Sequence, residues 1–269
     1  MDYTFFDAKI ICGKPFPLRG RGVNPFTAAG KTVDEVLTDM KDAGISKAVA
    51  VFEEQYYSTV GTANELALKT SEKYDELYTL MCIVPSYTGE IKPPMEFFKD
   101  NFKGKTAGFL LCGEEYNMGR HPLFYKEWLE FAQERNIPVY YTITGNEMKG
   151  DNSNENDYIY IINVLERYPN LTLILNYDET WPNFRKIYTI IANFPNVHLL
   201  LANGSYWMGS IEDFVQRFGS ERLLFSTEYP RRYIGGAMMA LVHACITEDD
   251  KAKIASRNME RLLGGIIYD

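Results

Sequence analysis

Dense apolar runs alternate with amphipathic stretches from one end of the chain to the other. The runs that read as strands occupy residues 4–11, 47–52, 77–84, 107–111, 138–142, 171–176, 197–202 and 223–227. Several are almost continuously apolar, as parallel strands are when other elements cover both faces. Between them the spacing changes to i, i+3, i+4, i+7. Val33, Val36, Leu37 and Met40 make one such set, and Tyr125, Trp128, Leu129 and Ala132 a second. Tyr158, Ile161, Ile162 and Leu165 follow, then Ile211, Phe214, Val215 and Phe218. Each set predicts a helix with one buried face. Thr32-x-x-Glu35 and Thr62-x-x-Glu65 read as capping boxes that place two helix starts. Residues 247–263 predict one or two helices at the end of the chain.

Strand starts recur at about the length of one βα unit, and no linker or composition shift divides the chain. Eight unbroken units predict the α/β class and a closed (β/α)8 TIM barrel, one domain over residues 1–269. The competing arrangement is an open doubly wound sheet. Against it, no GxGxxG or Walker-type loop follows any strand, and the prolines of GKPFPLRGRG spoil a phosphate cradle there.

The totals narrow the function classes. A length of 269 residues suits such a barrel, which takes about 250. A formal net charge of −8 argues against a nucleic-acid or anionic-membrane partner. No apolar run approaches the roughly 18 residues of a membrane helix. The start, MDYTFFDAKII, lacks the basic region of a signal peptide. Cys12, Cys82, Cys112 and Cys245 form no CxxC pair, so buried, reduced thiols and a cytoplasmic location are expected. A small-molecule ligand is the expected partner, and a homodimer is compatible.

In parallel α/β folds, ligands bind at the carboxyl ends of the strands. RLLFSTEYP (Arg222 to Pro230) is a short apolar strand that runs into Glu228 at that edge. On the first strand Asp7, Lys9 and Ile11 share a face by period-2 alternation. The fifth ends at Thr142 and the sixth at Asn176 and Tyr177. His121 precedes a proline at a helix start, His198 opens strand 7 at the opposite edge, and His243 lies in an apolar helix. All three read as structural.

These pieces, in this order, resemble the amidohydrolase-related family, single-domain TIM barrels of the metal-dependent amidohydrolase superfamily. The first strand resembles its Asp-x-His-x-His. IPVYYTITG is similar to its Pro-Val-x-x-His-x-x-Gly, and YPNLTLILNYDE to its Pro-x-Leu-x-x-x-x-x-His-x-Gly-Gly. RLLFSTEYP resembles Arg-Leu-Leu-Phe-Gly-Ser/Thr-Asp-x-Pro, and 254–263 the closing Ile-x-x-x-Asn-Ala-x-Arg-Leu-Leu. The family's histidines and aspartate hold one or two divalent metals that activate water. In their places stand Lys9, Ile11, Thr142, Tyr177 and Glu228. An ammonium repels a cation and isoleucine has no lone pair, so no family-type metal and no cofactor is expected.

What is expected instead is an ion pair between Lys9 and Glu228, with Asp7 sharing the lysine. One reading makes this pair purely structural, in a silent barrel that binds a metabolite or a protein. The other makes the chain a metal-independent hydrolase or lyase on a small carbonyl or carboxylate compound. There Lys9 polarises the carbonyl, Glu228 is the base on water and Tyr177 donates a proton. Thr142, Asn176, Arg231 and Arg232 hold the substrate, with Arg19 and Arg21 on a long first loop that closes as a lid. Acids at the same edge (Glu53, Glu54, Glu114, Glu115, Asp178, Glu179) compete for the arginines. Tyr56, Tyr57, Tyr116, Tyr206 and Trp207 are pocket candidates. An unusual metal site of Asp7, Glu228 and loop acids is a third reading.

Overall fold

The computed structural model describes residues 3–13, 31–112, 121–143, 155–177, 184–201 and 209–268. Within them eight strands follow one another around a sheet in chain order. They are β1 (Phe5–Cys12), β2 (Ile45–Phe52), β3 (Leu77–Cys82), β4 (Thr106–Leu110), β5 (Val139–Ile143), β6 (Leu173–Tyr177), β7 (Val197–Leu201) and β8 (Leu223–Phe225). Consecutive strands pair in parallel. Beyond β8 the chain turns back to β1: Ile11 N donates to Tyr229 O at 2.8 Å, and Glu228 N to Lys9 O at 3.0 Å. The expected (β/α)8 barrel is the fold observed. Every residue of β1 is buried, as its nearly unbroken apolar run predicts.

Helices fill the intervals: α1 (Val33–Asp42), α2 (Val60–Ser71), α3 (Pro94–Asn101), α4 (Lys126–Glu134), α5 (Glu155–Arg167), α6 (Phe184–Asn193), α7 (Ser210–Phe218) and α8 (Ile234–Val242). The predicted faces of α1 and α4 are inward, with Val36, Leu37, Met40, Trp128, Leu129 and Ala132 buried. On α5 the stripe runs instead through Tyr158, Ile161, Val164 and Leu165, so Ile162 falls at its edge and is exposed. Thr32 caps α1 as expected: Glu35 N donates to its hydroxyl oxygen and its own N donates to the Glu35 carboxylate at 2.8 Å. The second box is not one. α2 begins three residues earlier, after Thr59, and Thr62 lies within its first turn, its hydroxyl paired with that of Thr59 at 2.9 Å.

Two contacts fix how the strands sit. A Cβ on Gly108 would come within 2.3 Å of the Pro138 carbonyl oxygen, so only glycine lets β4 approach the start of β5 this closely. At the chain's end, α9 (Glu248–Ala252), a wide π-helical turn (Lys253–Arg257) and α10 (Asn258–Gly264) run on without a break. Buried Asn258 donates through Nδ2 to the carbonyls of Ser220 (2.8 Å) and Leu223 (2.9 Å), holding the entry to β8. Among the described residues no helix is long and apolar enough to cross a membrane.

Candidate functional site

Three side-chain pairs climb the seam between β8 and β1 toward the carboxyl edge. Lowest are the rings of Phe5 and Phe225, with centroids 4.7 Å apart. Above them the Asp7 carboxylate accepts from Thr227 N (3.1 Å), from Lys9 N (3.1 Å) and from the Thr227 hydroxyl. Asp7 is wholly buried, and burial pushes its carboxyl up to about 7 in spite of these donors. The expectation that it shares the Lys9 ammonium is corrected: its oxygens are taken by main chain and threonine.

At the top, Lys9 Nζ lies 2.8 Å from Glu228 Oε1, both side chains buried. The expected ion pair is present. Two further donors complete it: Asn176 Nδ2 reaches Oε1 at 2.7 Å, and Arg232 Nε reaches Oε2 at 2.9 Å. Burial alone would raise the Glu228 carboxyl, but Lys9 and Arg232 overcome it and hold it at about 2. The Glu228 backbone stands in the left-handed region, φ 54°, which is uncommon for a residue with a side chain. β8 ends at Phe225 rather than at Thr227, where the predicted run ends, and Glu228 N still donates to Lys9 O across the seam. From this turn the Glu228 carboxylate meets its three donors. Its carbonyl accepts from Arg231 N at 3.0 Å, closing the turn.

The other predicted residues divide. Asn176 meets the cluster through its amide nitrogen, while its Oδ1 is buried with no partner among the described residues. Thr142 is half-buried and pairs in register with Asn176. Arg231 does not join Glu228. It donates through both Nε (3.1 Å) and a terminal nitrogen (2.8 Å) to Glu53, with its guanidinium 5.7 Å from the Tyr56 ring centroid. The competition from loop acids is thus real for this arginine. Tyr177 ends β6, but its side chain is outside the described residues, as are Arg19, Arg21, Glu114, Glu115, Tyr116, Asp178, Glu179, Tyr206 and Trp207.

Sequence reasoning did not foresee the link of Arg232 to Glu228, and it gave Glu53 only as one of six acids competing for the arginines. The Arg232 link had a signal in its four-residue spacing. Of the histidines, His121 Nδ1 accepts from Leu123 N, His198 is buried, with burial pushing its imidazole down to about 3, and His243 is the C-cap of α8. Of the cysteines, Cys12, Cys82 and Cys112 are buried as expected, but Cys245 is exposed.

A parallel (β/α)8 barrel with a charged cluster at the carboxyl edge defines the class. The chain belongs to the amidohydrolase family, whose sequence model matches residues 22–265. Its fold is shared with 2,6-dihydroxybenzoate decarboxylase from Rhizobium, at a TM-score of 0.72 and 14% identity over 97% of this chain and 99% of that one. An uncharacterized TIM-barrel protein from Bordetella bronchiseptica gives 0.71 and 22% identity, covering 96% and 99%. A dihydroxybenzoic acid decarboxylase from Polaromonas sp. JS666, with bound manganese and 2-nitroresorcinol, gives 0.67 and 17%, covering 97% of each. No curated protein matches the sequence.

A divalent metal does not fit the described residues of this mouth. Both Glu228 oxygens already accept from cationic or amide donors, and a metal there would face the Lys9 ammonium. The Asp7 oxygens are likewise taken, so a metal held by Asp7, Glu228 and loop acids would have to displace these donors, and Glu114, Glu115, Asp178 and Glu179 lie outside the described residues. Among the described residues no group of three or more His, Cys, Asp or Glu is arranged to hold an ion.

Proposed function

We propose that this barrel is a metal-independent lyase that removes a carboxylate from a small carbonyl-activated or aromatic acid. The supporting observation is the Glu228 carboxylate, bonded at once by Lys9, Asn176 and Arg232. A general base works best with a pKa near the operating pH. Glu228, held at about 2, is far from that, and the hydrolytic reading loses its base. Loss of CO2 needs no base. It needs cations to orient the leaving carboxylate and stabilise the charge that develops, and a proton for the carbanion left behind.

In this reading Glu228 is an anchor. It fixes the Lys9 ammonium, which polarises a carbonyl or ring oxygen and delivers the proton, and Arg232, which orients the carboxylate. Asn176 Oδ1, buried with no partner among the described residues, accepts from a substrate hydroxyl or amine, with Thr142 beside it. Tyr177 is a second proton donor. Arg231 acts indirectly, by bracing the turn after β2 through Glu53. The fold is shared with decarboxylases, and at such low identity it supports only the architecture.

The test is CO2 release from a panel of small keto and aromatic acids by chelator-treated protein. Turnover that survives chelation and falls about a hundredfold or more in Lys9→Met supports the reading. Turnover that appears only with stoichiometric divalent metal overturns it. The silent barrel is the second reading, favoured by the same observation, because both Glu228 oxygens are satisfied within the chain. Carboxylates that raise the melting temperature without any turnover would select it.

A further inference from the structure

Cys82 and Cys112 lie on the β3–β4 side of the barrel, away from the Lys9–Glu228 seam. Cys82 ends β3, and Cys112 follows β4 by two residues. Both are buried, and their sulfurs stand 3.4 Å apart. The Cys82 backbone is held firmly. Asn64 of α2 accepts from Cys82 N and donates to Cys82 O, each at 2.8 Å. Cys112 lies past the last residue of the β4 ladder. Just before it Leu111 N still donates to Tyr140 O at 3.1 Å, so both sulfurs are carried on hydrogen-bonded backbone.

We infer that Cys82 and Cys112 form a dithiol site that a small peroxide oxidises to an intramolecular disulfide. The sulfurs need approach by only about 1.4 Å to reach the usual bond length of about 2.05 Å. In the first step one thiol sulfur attacks hydrogen peroxide. An S–O bond forms, the O–O bond breaks, and the thiol proton leaves with the departing oxygen as water. In the second step the other sulfur attacks the sulfenic sulfur. The S–S bond forms, the S–O bond breaks, and a second water carries off the remaining thiol proton. Two thiols lose two electrons and one peroxide gains them. A dithiol reductant reverses the change.

The pair is also wired to the mouth. The Cys82 thiol donates to the Gln55 carbonyl at 3.6 Å, and Gln55 Nε2 donates to Leu80 O at 2.7 Å. Gln55 sits in the 3-10 turn Glu53–Tyr56, whose Glu53 grips Arg231. Disulfide formation consumes the thiol donor and removes one of the ties between that turn and β3. The site stands whether or not the barrel is a lyase.

The test uses the full chain carrying Cys245→Ser, which removes the exposed thiol and leaves the pair intact. Folded protein is exposed briefly to hydrogen peroxide, quenched and mapped without reduction. The expected result is a single linkage between the Cys82 and Cys112 peptides, a mass lower by two hydrogens, and reversal by dithiothreitol. Formation should be at least about tenfold faster in the folded chain than in urea, because the fold holds the thiols together. Linkage to Cys12, equal rates in folded and unfolded chains, or oxidation of either thiol without linkage would overturn the proposal. A Cys112→Ala variant should yield no linked peptide, and the mapping of the intact pair stands even if that variant fails to fold.

Discussion

At the scale of single residues, two buried carboxyls one rung apart are driven in opposite directions. Asp7 is raised to about 7 by burial, so the folded state keeps a proton that the unfolded chain releases near 3.8. Its contribution is present below that value and is lost as pH rises toward 7. Glu228 is the reverse: held at about 2 by its cations against a value of 4.5, it contributes above 4.5 and loses that as pH falls toward 2. At 1.36 kcal/mol per pKa unit, the shifts correspond to roughly 4 and 3 kcal/mol. Stability should therefore peak near pH 4–5 as far as these two groups decide it. Asp7→Asn, close to isosteric, should flatten the loss between about pH 4 and 7 in urea titrations, whereas a parallel decline in both proteins would show that Asp7 is not its source. Lys9→Met leaves Glu228 buried with one cation fewer, and should cost about 3–5 kcal/mol. Pairing it with Glu228→Leu should recover much of that, since it is the unpaired charge that is expensive; equal losses in the single and double variants would contradict this account.

At the scale of elements, the two Thr-x-x-Glu sequences separate pattern from position. Both have the right letters, but only Thr32 stands before the first turn of its helix with its hydroxyl accepting from Glu35 N. Thr62 lies inside α2, where the hydroxyl caps nothing. Thr32→Ala should cost about 1 kcal/mol. Thr62→Ala should be close to neutral, since alanine is the better helix former. Thermal denaturation of the two variants side by side checks this, and equal losses would show that α2 starts where the motif predicts. The helix α5 teaches the same lesson about faces. Its apolar letters mark a broad stripe, and only packing against the barrel decides that Val164 is covered and Ile162 is not.

At the scale of the whole molecule, the strand order follows from parallel pairing in sequence, and the end of the chain secures it. Asn258 links α10 to the entry of β8, and β8 carries both Thr227 and Glu228 to the seam. Asn258→Ala removes one donor from each of two buried carbonyls, of which Ser220 O keeps Leu223 N at 3.3 Å, and should cost about 1–3 kcal/mol. Loss of the mouth's order should follow, read as a weaker Lys9–Glu228 pair by the pH dependence of stability. An Asn258→Ala protein that melts and titrates like the parent would sever that connection.

The apolar runs and their spacing were sufficient to place eight strands to within a few residues, because burial on both faces leaves a sequence few alternatives. The Lys9–Glu228 pair was legible through the family resemblance, which puts Lys9 in the place of a first-strand histidine and Glu228 in that of the last aspartate. The rest required the folded chain. No local rule tells that Glu228 adopts a left-handed backbone, that Asn176 turns its amide toward a carboxylate, or that Arg231 chooses Glu53 while Arg232 chooses Glu228. Hydrogen bonds between residues far apart in sequence depend on distances of tenths of an ångström. Strand register and helix packing set such distances, and neither is written in any one segment.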